Sequence, residues 1–169
     1  MFSNKSSMTG LIFILFWLFF LVVLILLFSE WHENKYGQKA KIVTNDVENK
    51  VILRMNQSNY YHATGEINQV KVSFIVDTGA SSVAIPASIA ELASLKPLGS
   101  IAVQTASGNI QAQMTWIKKL TIGPITLQNI KAIIMPNYSK HVLLGMSALK
   151  KLTLKQHKHR LELIQPVSK

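Results

Sequence analysis

One aspartate in this chain of 169 residues stands at the end of an apolar run, where an acid is unexpected. The stretch VSFIVDTGASSVAIP, residues 72–86, places Asp77 after Phe74-Ile75-Val76 and before Thr78-Gly79-Ala80. Lone aspartates are rarely buried unless they are paired or functional. The chain contains one other aspartate, Asp46, in a polar segment without a following Ser/Thr-Gly. Candidate chemistry therefore centres on Asp77.

Peptide hydrolysis without a metal or a nucleophilic side chain needs two carboxyl groups that share a water, one as base and one as acid. Carboxyl groups about 3 Å apart cannot both ionise easily, so such a pair shares one proton. Beside such a carboxyl group, Thr78 can supply a bracing hydroxyl and Gly79 a tight turn. Because this chain supplies one convincing loop of this kind, the pair requires two chains.

The hydrophobic pattern from residue 51 onward is mostly that of β-strands. Strands are predicted at residues 51–53, 60–67, 70–76, 130–135 and 142–144. Hairpins are predicted for residues 101–116 around a small polar tip, for LTIGPITL around Gly123-Pro124, and around QHKHR at residues 156–160. One short helix is predicted after Pro86 from a capping box at Ser88 and Glu91, and another over MSALKKL. The sequence therefore predicts a mostly-β domain with one or two short helices.

An unbroken apolar run of 18 residues, Leu11–Phe28, precedes this domain. At about 1.5 Å per residue it would span roughly 27 Å, close to the thickness of a hydrocarbon core. It is longer than the apolar region of a signal peptide, and no Ala-x-Ala cleavage site comes after it. The predicted organisation is a tail (1–10), a transmembrane anchor in the lipid bilayer (11–28), a polar stalk (29–50) and the β domain (51–169).

Residues 60–164 resemble the retropepsin-like aspartic peptidases, particularly their bacterial, membrane-anchored, single-domain members. The resemblance rests on FIVDTGASSVAIP, on the hairpin around TASGN and on VLLGMSAL. It implies a single-lobe closed β-barrel or sandwich with a flap hairpin, and a homodimer in which each subunit donates one aspartate. It also implies a membrane-anchored aspartic endopeptidase acting on peptides or proteins without a cofactor or metal.

Carried over residue by residue, the resemblance makes Asp77 the catalytic carboxylate. The residues that would support the catalytic loop are Thr78, Gly79, Ala80, Leu144 and Gly145. The flap tip that would contact substrate is Ala106, Ser107, Gly108 and Asn109, which departs from the family pattern in carrying no aromatic residue.

A single N-terminal span most simply exports the domain on its C-terminal side, although the lysines after the span weakly favour the opposite orientation. We therefore expect a protein of the bacterial inner membrane with a periplasmic C-terminal domain.

Two other interpretations of the motif stay open. Asp77 can be a turn residue that accepts a hydrogen bond from its own backbone. Alternatively, the domain can be a catalytically inactive, membrane-tethered binding or scaffold module with the same fold.

Other constellations give weaker predictions. Ser81 and Ser82 lack the G-x-S-x-G context of a nucleophile, and His157 and His159 lie in a lysine-rich hairpin that favours solvation over metal binding. Asp46 is a poor partner for Asp77 because it lies in the stalk.

The net charge is +10, but the basic stretch KKLTLKQHKHR lacks interleaved aromatic residues, so nucleic-acid binding is not predicted. The chain has no cysteine, which excludes disulfides and thiolate metal sites.

Overall fold

The computed structural model describes residues 5–36, 41–44, 48–105, 108–136 and 140–166. For residues 5–11, 28–36 and 44 it describes the backbone alone. Contacts within the chain divide it into two units, Met1–Gln38 and Lys39–Lys169. Asp46, Ala106 and Ser107, which the sequence analysis singled out, lie outside the described residues.

The first unit contains one helix, α1 (Lys5–Tyr36). Its apolar side chains between residues 12 and 27 are exposed, apart from Val23, which is partly buried. Trp17 makes edge-to-face contacts with Phe13, Phe16 and Phe20. Among the residues described, no helix combines the length and apolarity needed to cross a membrane. The membrane anchor therefore stays a prediction from the sequence.

The second unit is built mostly of strands. Its elements are β1 (Lys41–Thr44), β2 (Glu48–Arg54), β3 (His62–Ile67), β4 (Val70–Val76), β5 (Val83–Pro86), α2 (Ala87–Leu92), β6 (Gly99–Thr105), β7 (Gly108–Ile122), β8 (Ile125–Met135), β9 (Val142–Leu144), α3 (Met146–Leu149), β10 (Thr153–His157) and β11 (Arg160–Pro166). The predicted mostly-β class is confirmed.

Six of these strands close into a barrel in the order β3-β4-β9-β5-β8-β7, and the pairing of β3 with β7 completes the ring. Its interior is filled by alternate side chains that are almost fully buried, including Ile67, Phe74, Ile85, Ile117 and Leu144. Each such side chain contributes about 1.5–3 kcal/mol through burial. At the closure, a Cβ on Gly65 would overlap the Thr121 carbonyl, so only glycine fits there. The predicted closed barrel is confirmed.

The long strand β7 continues past the barrel and pairs with β6 as a hairpin. We call this β6–β7 extension the flap hairpin. Thr105 and Gly108 are paired at its end, where Gly108 has a φ of 108° that favours glycine. The flap hairpin has its own small apolar cluster with β5, β8 and β9, made of Ala84, Ile101, Val103, Ile110, Ala112, Ile133, Met135 and Leu143.

A second sheet of four strands, β1-β2-β11-β10, contains both ends of the second unit. β2 pairs with β11 along its whole length, and β1 pairs with the outer edge of β2. Strands therefore occupy residues 41–44 and 48–50, which the sequence analysis assigned to an irregular stalk. These residues are mostly polar and show no clear apolar alternation, because their strands lie at or near a sheet edge, where one face is solvated.

Both short helices differ from their sequence-based predictions. α2 begins after Pro86 and has no side-chain cap, so Ser88 lies inside the helix and the predicted capping box is wrong. Pro86 is the N-cap residue of α2 and the last residue of β5, and its extended ψ of 141° separates the strand from the helix that begins at Ala87. α3 covers only Met146–Leu149 of the predicted MSALKKL helix.

Candidate active site

Asp77 comes directly after the last residue of β4. β4 and β9 are parallel, and Val76 lies opposite Leu144. The Asp77 N–H donates to the Leu144 carbonyl at 3.2 Å, which extends the strand pairing by one residue. The carboxyl ends of parallel strands meet at one edge of the sheet, so VDTG and LLG, which are distant in the chain, form one structure. The structure thus brings Asp77 and the predicted Leu144-Gly145 motif together.

The Asp-Thr-Gly segment turns sharply out of the strand. The Gly79 N–H donates to Asp77 Oδ1 at 2.9 Å, and the Ala80 N–H donates to the Asp77 carbonyl at 3.3 Å. Asp77 is partly exposed, whereas Thr78 and Gly79 are exposed. The backbone hydrogen bond expected if Asp77 is a turn residue is therefore present. That bond also fixes the orientation of a carboxylate that solvent can reach.

The start of α3 is attached to the same loop. The Met146 N–H donates to the Ala80 carbonyl at 2.8 Å, and the Ser147 N–H donates to the Ser81 carbonyl at 3.1 Å. A Cβ on Gly145 would overlap the carbonyl of Ser82, so this contact requires glycine. The glycine of the LLG motif is therefore explained by the close approach of two backbone segments.

Ser147 is a structural residue of the loop that the sequence analysis missed. Its hydroxyl accepts from the buried Val83 N–H at 3.0 Å and donates to the Lys131 carbonyl at 2.7 Å. It thereby connects α3, β5 and β8 beneath the Asp-Thr-Gly turn. Its partners are distant in sequence, and no local pattern indicates such a contact.

A cleft of about 840 Å³ lies beside the turn. Thr78 and Gly79 line it, as does Trp116, which is 52% exposed. Its lysines are Lys131, Lys150 and Lys151. Asp77 itself does not line this cleft, although Thr78 and Gly79, which follow it in the chain, do. Neither Trp116 nor these lysines was identified as part of the site from the sequence.

The face of the sheet that carries Asp77 also carries the flap hairpin. Residues alternate between faces along a strand, so Ile75 and Asp77 share a face. Ile75 lies opposite Leu143, and Leu143 packs against the apolar cluster of the flap hairpin. Of the predicted flap-tip residues, Gly108 and Asn109 begin β7 and are exposed. The hairpin and the carboxylate therefore border one surface.

Two histidines meet on this surface, and the sequence analysis did not connect them. His62 at the start of β3 and His141 just before β9 have ring centroids 5.6 Å apart in an edge-to-face arrangement. Burial, and secondly the neighbouring His141, lower the pKa of His62 below its usual value. Their contact depends on β3 and β9 both pairing with β4, so residues from distant parts of the chain become neighbours only in the folded sheet.

Within the described part of the chain, no three histidine or acidic residues lie close enough together to hold a metal ion. His157 and His159 are exposed on the last hairpin. Ser81 is exposed, and Ser82 contributes its carbonyl to the packing against Gly145.

A closed β-barrel with one Asp-Thr-Gly loop and a hairpin bordering it defines the class of single-lobe aspartic peptidase folds. A family model described as "gag-polyprotein putative aspartyl protease" matches residues 63–151, more than half of the chain. The chain belongs to this family, and the predicted retropepsin-like identity is confirmed.

Two known proteins show the extent of the similarity. An uncharacterised protein from the 5′ region of cobV in a Sinorhizobium species is 32% identical over 124 residues, which cover 71% of this chain. The matched region spans 53% of that relative, so this chain corresponds to about half of its length. The crystal structure of a retropepsin-like aspartic protease from Rickettsia conorii matches with a TM-score of 0.58 and 24% identity, covering 79% of this chain and 99% of that one. This structural match supports the fold.

Proposed function

We propose that this protein is an aspartic endopeptidase that acts as a homodimer, with one Asp77 from each subunit at a shared site. The observation that carries the proposal is the placement of Asp77. It stands at the exposed end of β4, oriented by the Gly79 N–H and anchored to β9, on a surface bordered by a hairpin. One such loop per chain can make a two-carboxylate site only by pairing with a second chain.

In this mechanism a water lies between the two Asp77 carboxyl groups, which together hold one proton. The ionised carboxylate takes a proton from the water as its oxygen attacks the peptide carbonyl carbon, and the protonated carboxyl group donates to the carbonyl oxygen. The carboxyl group that took the proton from the water then donates it to the nitrogen as the C–N bond of the tetrahedral intermediate breaks. The other carboxylate takes a proton from a hydroxyl group of the intermediate, so the pair again holds one proton. The rigid loop positions the carboxylates in advance, which lowers the entropic part of the barrier.

The exposed turn suggests how the subunits would meet. Thr78 and Gly79 are exposed in the single chain, which suits them to contact the partner near the two-fold axis. Thr78 would brace the pair through its hydroxyl, while Gly79, Ala80, Leu144 and Gly145 hold the loop in shape. The flap tip, Ala106 to Asn109, would cover the bound peptide.

The test uses the purified full-length chain and a mixed peptide library, with cleavage products identified by mass spectrometry. Asp77→Asn should abolish hydrolysis while leaving the thermal unfolding transition nearly unchanged, because asparagine has a similar shape and cannot accept the proton. The matched control, Asn109→Asp, adds a carboxylate elsewhere on the same surface and should not rescue Asp77→Asn. Activity in Asp77→Asn within a few-fold of the wild type would refute the aspartic mechanism.

The second candidate is an inactive binding module of the same fold. At the margin of the apolar cluster of the flap hairpin, the side chains of Ile101, Val103, Ile110 and Leu143 stay partly exposed, which favours a surface that holds peptides. In that case, peptides from the library would bind to the wild type and to Asp77→Asn equally and remain intact.

The domain organisation and location are proposed from the sequence alone. Residues 11–28 would anchor the chain in the bacterial inner membrane, with the peptidase domain in the periplasm. The test is carbonate extraction of membranes, combined with protease accessibility of the C-terminal domain in spheroplasts. Release of the chain by carbonate would exclude the anchor.

A further inference from the structure

The histidine pair lies on the same sheet face as Asp77 and close to it. His62 is the strand partner of Ile75, and Ile75 lies two residues before Asp77. Two residues of a strand span about 7 Å, and neighbouring strands are about 4.8 Å apart. An extended peptide bound across Asp77 would therefore place one of its side chains against the histidine pair. That side chain would belong to a residue within two positions of the scissile bond.

The rings of His62 and His141 meet over β4, because their strands flank it on opposite sides. Ile75 and Leu143 lie beside the pair on the same face and are both partly exposed. The surface thus combines two imidazoles with an apolar rim. Farther from Asp77, a separate groove of about 540 Å³ lies along β3 and β4, and its lining includes Thr64, Ser73, Glu66 and Lys71.

We propose that His62 and His141 form a substrate subsite that accepts an acidic side chain, aspartate or glutamate, within two residues of the cleaved bond. This inference rests on the proposed peptidase function and specifies its substrate class. It does not derive from the Asp-Thr-Gly motif, which determines the chemistry rather than the sequence preference.

The chemistry of the pair favours a carboxylate. An imidazole carries at least one N–H in either protonation state, whereas a carboxylate only accepts, so the two groups match as donors and acceptor. Two neighbouring imidazoles repel each other when both are protonated, in agreement with the lowered pKa of His62. A carboxylate beside both rings offsets that repulsion. The aliphatic stem of a glutamate would contact Ile75 and Leu143.

The experiment measures cleavage of one peptide series by the full-length wild-type chain. A library peptide that the chain cleaves, or one that it binds if none is cleaved, is varied with Glu, Gln or Leu. The varied positions are the two on either side of the cleaved bond or, in an uncleaved peptide, each position in turn. At one position, Glu should exceed Gln in kcat/KM by about tenfold or more, as expected for a charge-assisted hydrogen bond. In the double variant His62→Leu/His141→Leu this ratio should fall to within about twofold. His157→Leu, which removes an exposed histidine on β10, should keep the wild-type ratio.

A binding measurement separates this inference from the proposed function. Fluorescence anisotropy gives the affinity of Asp77→Asn for the same peptides without turnover. Preferential binding of the Glu peptide, with a rise in the pKa of His62 in an NMR titration, would support the subsite even if the wild type cleaves nothing. The NMR readout also serves if the double variant does not fold. Equal affinities for Glu, Gln and Leu peptides, or a Glu preference that survives in the double variant, would overturn the inference.

Discussion

At the scale of single residues, Asp77 and His62 differ in the groups that surround them. Asp77 is partly exposed and oriented by the Gly79 N–H, which agrees with the proposed role of its carboxylate in activating a water. His62 is partly buried to a similar degree, but its side chain contacts a second imidazole, that of His141. Burial and that neighbour both disfavour its charged form and lower its pKa.

The lowered pKa of His62 predicts a pH dependence of stability. Because its pKa in the folded state lies below its unfolded value of about 6.5, the unfolded chain binds more protons between the two values. The free energy of unfolding should therefore rise with pH through this window and fall as the pH drops below about 6.5. His62→Gln should flatten this dependence in urea unfolding curves measured from about pH 5 to 8. His157→Gln, at an exposed position, should leave it intact, and an unchanged slope in His62→Gln would contradict the prediction.

At the scale of elements, the Asp-Thr-Gly loop is held by α3 and β9 rather than by its own turn alone. The Ser147 hydroxyl and the close approach of Gly145 to Ser82 make this connection. Both contacts join backbone segments that carry no catalytic group. They belong to the support of the loop.

Ser147→Ala should destabilise the domain by about 1–3 kcal/mol, because it leaves the buried Val83 N–H without its acceptor. The matched control is Ser88→Ala on α2. The Ser88 side chain makes no capping hydrogen bond, so that change should stay within about 0.5 kcal/mol. Chemical denaturation of the three proteins gives both differences. A loss for Ser88→Ala as large as that for Ser147→Ala would contradict the assignment of these roles.

Gly145→Ala should also destabilise the domain, by about 1–3 kcal/mol, because the added methyl group displaces the Ser82 carbonyl. At Gly79 an added Cβ would meet only Asp77 Oδ1, at 3.2 Å. Gly79→Ala should therefore cost less in the free energy of unfolding, as measured by chemical denaturation. Equal losses for the two variants would show that the packing of α3 on the loop is less important than its geometry indicates.

At the scale of the whole molecule, the number of Asp-Thr-Gly loops leads to the proposed homodimer. One loop per chain requires a partner, so the specific activity should rise with protein concentration before it levels off. Excess Asp77→Asn chains should inhibit the wild type by forming mixed dimers with one carboxylate. Activity assays on dilution series, together with sedimentation velocity, measure both effects. A monomer whose specific activity is unaffected by dilution and by the variant would exclude the shared site.

Local patterns in the sequence were enough to predict the mostly-β class of fold and the location of Asp77 at the end of a strand. Apolar residues in 70–76 predicted β4 with its observed bounds, and Gly123-Pro124 predicted the turn of one hairpin. Leucines on either side of residues 156–160 predicted the last hairpin. These signals are local, because strand alternation and turn chemistry depend on neighbouring residues. The family resemblance then combined VDTG, the hairpin and LLG into one expectation of fold and function.

The tertiary structure alone decided which distant residues meet. The Ser147 contacts, the lysine-lined cleft and the contact between His62 and His141 join residues far apart in the chain, and no local pattern encodes their proximity. The capping box failed because Pro86, not Ser88, is the N-cap residue of α2, and β1 was missed because its polar edge position resembles a linker. Pairing of strands across a closed barrel is non-local, so it appears only when the whole core is packed.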